Sequence, residues 1–247
     1  MIDLDYFKLL FRTLKYKHIQ DRAEIKYLLR HILPGQTVLD IGSHKAGYLY
    51  FMIQGVTPTG KVVAFEPQSF LYDYLIRLKR KLKWKNVTVE SIALSDKNEK
   101  ATLFLPRTVG DPVSSPGATL AATENNVNFK FKAQVITETL DSYCSRYQLA
   151  PSFLKIDVEG HELKVIQGGI EVLKKYQPKI IVELESRHVG QAMVLETIRF
   201  LQDLGYRAYF IHSAMVKPLE LFSFDSHQNV ADKKNYSNNF IFEINAN

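Results

Sequence analysis

Acidic residues close three short apolar runs in this chain. The first is Val38-Leu39-Asp40-Ile41-Gly42-Ser43-His44-Lys45-Ala46-Gly47, the second Val62-Val63-Ala64-Phe65-Glu66-Pro67, and the third Phe153-Leu154-Lys155-Ile156-Asp157-Val158-Glu159-Gly160-His161-Glu162. Asp40 stands where the dinucleotide-binding turn GxGxxG has its first glycine, so a pyrophosphate cradled by backbone donors is disfavoured and a cationic ligand is favoured. S-adenosylmethionine is such a ligand. Its ammonium calls for a carboxylate or carbonyl, its carboxylate calls for loop amides, and Gly42 lets the backbone approach without a Cβ. Glu66, at the end of the next strand, can accept hydrogen bonds from both ribose hydroxyls. A helix cap at Asp40 and a strand end at Glu66-Pro67 would explain each half separately, but not their pairing.

The third run supplies candidates for the reacting side. Asp157 closes a buried strand and must find a partner or a solvated cleft. Glu159 lies two residues on, whereas Glu162 reads as an acid stabilising a helix N-terminus through its dipole. His161 and His44 titrate near neutrality and could act as general bases, although a histidine at a helix start is more commonly a surface or capping residue. Asp157, Glu159 and His161 are therefore the catalytic candidates. Glu183-x-Glu185 would lie beside Asp157 if the last two parallel strands are neighbours. Surface carboxylates are the simpler reading of that pair, and no metal is expected.

The elements that must position these residues follow from periodicity. Residues 3–32 carry apolar side chains at three- and four-residue spacing and end at Pro34-Gly35, which predicts one or two helices. Strands near 37–41 and 61–66 alternate with helices near 46–55 and 69–83. A second strand–helix unit has helices at Leu140–Tyr147 and Glu162–Lys174 and strands at Phe153–Ile156 and Ile180–Leu184. Short β-like pieces are expected at Val87–Glu90, Ala101–Leu105 and Lys130–Ile136. The long Gly/Pro/Ser/Thr/Asn-rich stretch Pro106–Asn128 reads as a lid. A helix near Ala192–Leu204 and strands near Arg207–His212 and Asn239–Glu243 close the pattern. Alternation of this kind requires a parallel sheet covered by helices on both faces, with right-handed crossovers, hence an α/β fold. Residues 1–35 read as a helical extension and 36–247 as the α/β domain.

Composition narrows the classes. With 247 residues, 46% of them apolar, the chain can build a large core without disulfides. Its one cysteine, Cys144, cannot form an internal bridge, and cytoplasmic residence is the simplest expectation. The apolar stretch Tyr6–Leu14 is broken by Lys8 and Arg12, so no transmembrane helix is expected. Net charge is +6, much of it on Arg77, Lys79, Arg80, Lys81, Lys83 and Lys85. Interleaving with Leu75, Ile76, Leu78, Leu82 and Trp84 makes this the solvated face of an amphipathic helix, with weak association to an anionic surface as its further use. No Asn-Pro-Pro-Tyr-like motif for base methylation occurs, and a nucleic-acid partner is not expected.

Taken in order, Asp40-Ile41-Gly42-Ser43-His44-Lys45, Phe65-Glu66-Pro67, Ala93-Leu94-Ser95-Asp96, Thr139-Leu140-Asp141 and Lys155-Ile156-Asp157-Val158-Glu159-Gly160-His161-Glu162 resemble the FkbM family of S-adenosylmethionine-dependent methyltransferases. The resemblance spans about residues 36–186. It implies a Rossmann-like class I methyltransferase fold with a mostly parallel seven-stranded sheet and an antiparallel last strand. It also implies O-methylation of a hydroxyl on a sugar, glycan or secondary metabolite. By position, Asp40, Gly42 and His44 would line the methionine side of the cofactor, Glu66 the ribose, and Asp96 the adenine edge. The chain departs from the family pattern at Ala46, where glycine is usual, its own glycine being displaced to Gly47; a slightly less open loop that still binds is expected. The rival reading is a cofactor-binding but non-catalytic scaffold in glycan or lipid assembly, against which the intact Asp157 and Glu159 argue.

Overall fold

The computed structural model describes residues 4–106, 117–121 and 131–244. The chain begins with helix α1 (Leu4–Lys15), a π-helical turn (Tyr16–Gln20) and α2 (Arg22–His31). Then come β1 (Thr37–Ile41), α3 (Gly47–Val56), β2 (Lys61–Phe65), α4 (Ser69–Lys81) and β3 (Val87–Glu90). A small three-stranded sheet is built from β4 (Ala93–Leu94), β5 (Lys100–Leu105) and β6 (Phe131–Glu138). The second half runs through α5 (Leu140–Arg146), β7 (Pro151–Ile156), α6 (Glu162–Gln167), α7 (Ile170–Tyr176) and β8 (Lys179–Glu183). It ends with α8 (Ser186–Asp203), β9 (Arg207–His212), β10 (Met215–Pro218), a 3-10 turn (Leu219–Leu221), α9 (Phe224–His227) and β11 (Asn239–Glu243).

The main sheet has the order β10-β9-β11-β8-β7-β1-β2-β3. The five strands β8, β7, β1, β2 and β3 are parallel neighbours, and β11 slots antiparallel between β8 and β9. Seven of these eight strands make the expected sheet with its antiparallel last strand; β10 adds a hairpin edge to β9 that the short run Met215–Pro218 did not announce. Period-two alternation sends successive residues to opposite faces. Leu39, Ile41, Leu154, Ile156, Ile180 and Val182 pack under α5 to α8, while Val38, Phe153 and Ile181 join the layer of α2, α3 and α4. On α4 the apolar residues Leu71, Tyr74, Leu75 and Leu78 are buried and the basic ones face outward, as the amphipathic reading requires.

Two local departures fall at glycines. The helix expected over Glu162–Lys174 is two helices, broken at Gly168-Gly169. A Cβ on Gly168 would sit 2.0 Å from the Ser95 carbonyl, and one on Gly169 would sit 2.6 Å from the Leu140 side chain, so this break lets the α6–α7 corner approach β4 and α5. Helix α8 starts six residues before its expected onset, across a kink at Gly190 with φ +82°. The lid expected over 106–128 lies outside the described residues except for Pro106 and residues 117–121, where Thr119 bridges to Phe104. Among the described residues no helix is long and apolar enough to cross a membrane.

Candidate functional site

Strands β1 and β7 end side by side, with Asp40 opposite Lys155 in the ladder. Just beyond, the Asp157 amide donates to the Ile41 carbonyl at 3.0 Å, and the amides of Gly42 and Ser43 donate to the Phe65 carbonyl at 3.0 and 3.1 Å. The two chains cross so closely that a Cβ on Gly42 would lie 1.8 Å from the Asp157 carbonyl oxygen, and Gly42 has φ +84°. Glycine is thus demanded here by the packing of backbone on backbone, whatever ligand approaches.

The loop that follows is strained and held from several sides. His44 and Ala46 both have left-handed backbone, at φ +44° and +65°, a conformation disfavoured with a Cβ. Ala46, expected from the resemblance to replace a glycine, holds a positive φ that glycine adopts without steric cost. The Ser43 hydroxyl donates to the Asp40 carbonyl at 2.9 Å and the His44 amide to Glu66 Oε2 at 2.8 Å. From outside, Arg12 Nη1 donates to the Lys45 carbonyl at 2.5 Å. The Tyr16 ring covers Gly47 so closely that a Cβ there would meet it at 2.2 Å. The N-terminal helical segment therefore clamps a loop far from it in sequence.

Around this loop, the carboxyl edge of the sheet forms two chambers. One, of about 700 Å³ including its open mouth, is mainly apolar and is walled by Ile41, Phe65, Ile92, Leu94 and Leu103, with Glu66 and His161 facing in. Glu66 accepts the amides of His44 and Gln68, at 2.8 and 3.0 Å. Burial nevertheless pushes its carboxyl up to about 7. His161 pairs through Nε2 with Ser95 Oγ at 2.9 Å, and burial pushes it down to about 4, so it is neutral at physiological pH. Asp96 lines neither chamber: it accepts from Lys164 Nζ at 2.8 Å and from Ser95 Oγ at 3.1 Å. Burial raises it, but these two donors outweigh that effect and hold it below the usual carboxylate range.

The second chamber, about 690 Å³, is strongly polar and is lined by Asp21, Asp40, Tyr48, Lys155, Asp157 and Glu183 among others. Alternation along the strands explains it: Asp40, Lys155 and Glu183 follow Val38, Phe153 and Ile181 at even offsets and so face the α2–α3 side. Asp40 is 1% exposed, and neither of its carboxylate oxygens has a hydrogen-bond partner among the described residues. Burial lifts it to about 6, partly countered by the Lys155 cation. Lys155 donates to Asp157 Oδ2 at 2.6 Å and lies 4.9 Å from the centre of the Tyr48 ring. Burial opposes its charge, yet Asp157 and then Asp40 more than compensate and hold it protonated. Glu183 is raised by burial and then by Asp157, and accepts from Asn238 at 2.6 Å. The same amide reaches Glu185 at 2.5 Å, so the Glu183-x-Glu185 pair is bridged by Asn238.

Gly42, His44 and Asp157 line both chambers and mark their junction. His44 Nε2 is buried without a partner among the described residues, and burial pushes that imidazole down to about 4. Next to it the chain makes a tight turn, Glu159 at φ +56° and Gly160 at φ +98°. Glu162 Oε1 secures the turn by accepting the amides of Val158 and Gly160, at 3.2 and 3.0 Å, so it is a structural clasp more than a dipole partner. Glu159 faces the first chamber, accepts the Gly117 amide at 3.1 Å and lies 3.4 Å from His188 Nδ1. Burial and then Asp157 push it up to about 7.

Of the sequence-derived candidates, Asp40, Gly42, His44, Glu66, Asp157, Glu159 and His161 converge on this cleft and Asp96 stands behind it. Sequence reasoning passed over Lys155, Asp21 and Tyr16. For Lys155 a signal existed, since a lysine between Leu154 and Ile156 in a buried strand must have a counter-charge. For Asp21 and Tyr16 none did, because their contacts depend on how α1 folds over the loop.

The methyltransferase FkbM domain matches the chain over residues 40–208. The chain belongs to the FkbM methyltransferase family. An FkbM methyltransferase structure from Methylobacillus flagellatus KT aligns with a TM-score of 0.55 and 15% identity, covering 98% of this chain and 56% of that one. This FkbM member thus spans little more than half the length of that relative. The O-methyltransferase from Bacillus cereus in complex with SAH aligns with a TM-score of 0.50 and 14% identity, covering 98% of this chain and 90% of that one. At these identities the likeness establishes the class I methyltransferase fold. No curated protein matches the sequence. The family match ends at Ala208 and begins at Asp40, so the Arg12 and Tyr16 clamp on the FkbM loop lies outside it.

Proposed function

We propose that this FkbM methyltransferase binds S-adenosylmethionine across the two chambers and methylates a hydroxyl of a small-molecule or carbohydrate acceptor. The observation that carries this reading is the pairing of an unpartnered, buried Asp40 in a polar chamber with Glu66 in an apolar one, on either side of one loop. Asp40 would hold the ammonium group, Glu66 the ribose hydroxyls, and the apolar walls at Ile92, Leu94 and Leu103 the base. When bound, the cofactor supplies an electrophilic methyl group on a sulfonium.

What the chain itself does is orient, exclude water and accept a proton. Among the three catalytic candidates, Asp157 is already committed to Lys155, and a buried His161 near 4 that is bonded to Ser95 is a poor base at neutral pH. Glu159 faces the cleft with a carboxyl near 7 and suits removal of a hydroxyl proton. Its base form exists above that value, so turnover should rise with pH toward a plateau above about 7. Glu159→Gln should lower kcat about 100-fold and erase that acidic limb, with cofactor affinity unchanged. The assay is transfer of labelled methyl to a panel of sugar, alcohol, amine and thiol acceptors across pH. Wild-type turnover in a folded Glu159→Gln protein would remove Glu159 from the mechanism, and transfer only to amines or thiols would overturn the hydroxyl assignment.

A further inference from the structure

Helix α1 buries one side and leaves the other bare. Leu9 and Thr13 face the core, whereas Phe7, Phe11 and Leu14 are 53%, 73% and 56% exposed, and Ile19 continues the apolar surface into the π-helical turn at 73%. Spacing of four and three residues puts Phe7, Phe11 and Leu14 in one stripe. Such a run of large apolar side chains is unusual on a solvated helix and marks a contact surface.

Cations border the stripe. Lys8, Lys15 and Lys17 are exposed along it. Helix α4 lies alongside, with Asp5 Oδ2 at 3.9 Å from Arg77 Nε and 3.6 Å from Lys81 Nζ, and Arg12 Nη1 at 3.5 Å from the Tyr74 hydroxyl. Arg77 and Lys81, which reach toward Asp5, and Arg80, three residues from Arg77, are exposed and add cations beside α1. Along α1 and the π-helical turn runs an open groove of about 950 Å³ that includes Phe7, Lys8, Phe11, Lys15 and Tyr16.

We infer that α1, with the basic end of α4, docks this protein on the surface of an anionic lipid bilayer. Aromatic and leucine side chains enter the boundary between headgroups and acyl chains, while the lysine and arginine stems lie along it and place their charges on lipid phosphates. The cationic border is what selects this occupant: it complements an anionic surface and repels the same border on a second copy. Tyr16 lines both the groove and the polar chamber, so the docking face adjoins the site. The inference does not depend on which acceptor is methylated.

Co-sedimentation of the full chain with vesicles tests it. Vesicles of three parts phosphatidylcholine to one part phosphatidylglycerol should carry the protein down in a salt-sensitive manner, and phosphatidylcholine alone should not. The double variant Phe7→Ser/Phe11→Ser keeps every charge, so about a tenfold or greater loss of vesicle affinity, with an unchanged melting curve, would assign the binding to the stripe. Failure to sediment with the anionic vesicles, or equal sedimentation of the variant, would overturn the inference. So would a dimer in analytical ultracentrifugation that the same variant abolishes, because the stripe would then belong to a second copy.

Discussion

Gly42→Ala is expected to be among the most damaging single substitutions in this chain. The new Cβ would fall 1.8 Å from the Asp157 carbonyl, a backbone atom fixed by its own strand, at a residue whose φ is +84°. Strands β1 and β7 must separate at their ends to accept it, opening the junction of the two chambers. The loss should reach about 4 kcal/mol or more, which for a domain of this size lowers the melting temperature by on the order of 10 °C. Gly205→Ala provides the control. Its φ is +93° but nothing lies within 4 Å of the added Cβ, so it carries the backbone strain alone, about 1 kcal/mol. Thermal denaturation of both variants separates clash from strain; equal shifts would show that the β1–β7 crossing is looser than described.

Asp40→Asn should weaken binding of S-adenosylhomocysteine about 30-fold or more, since truncating the charge of a buried ion contact costs roughly 2 kcal/mol or more. Its pH dependence is the sharper signature. With the free carboxyl near 6, the ionised form that an ammonium requires predominates only above that pH. Wild-type affinity should therefore rise as pH increases through about 6 and level off, while Asp40→Asn should lack this step. Stability runs the other way. A carboxyl raised from 3.8 to about 6 by folding favours the folded state most below 3.8 and loses that contribution as pH climbs through about 6. At neutral pH the unliganded Asn variant should gain up to about 3 kcal/mol, less what Lys155 forfeits by losing a counter-charge. A variant that binds more weakly yet melts higher is what a buried, ligand-seeking carboxylate produces; one that melts lower would mean Asp40 is a structural partner of Lys155.

What could be read from the sequence is what local periodicity and residue type encode. Asp40 and Glu66 follow apolar runs of strand length, and strands of a parallel sheet must bring such endings to one edge. The same logic brought Asp157 and Glu159 to it. Alternation within the runs also held the division into two chambers: Asp40 shares its parity with Val38, as Lys155 does with Phe153. The clamp on the loop had no such trace. Arg12 meets Lys45 and Tyr16 meets Gly47 only because α1 lies across the loop, a contact fixed by tertiary packing. The break at Gly168-Gly169 was equally hidden, since it answers to Ser95 and Leu140, which are remote in sequence. Glu162 was readable as a residue of the helix start, but its grip on the Val158 and Gly160 amides follows from the left-handed turn that precedes it.

Calorimetric titration of the purified wild type with S-adenosylhomocysteine, alongside Glu66→Ala, tests the central claim most directly. Saturable one-site binding by the wild type, weakened about tenfold or more in the variant, is the predicted result, because Glu66 would lose the ribose while the Asp40 chamber stays intact. No heat of binding from a folded wild-type protein would contradict the account and leave the cleft to a non-catalytic role in assembly.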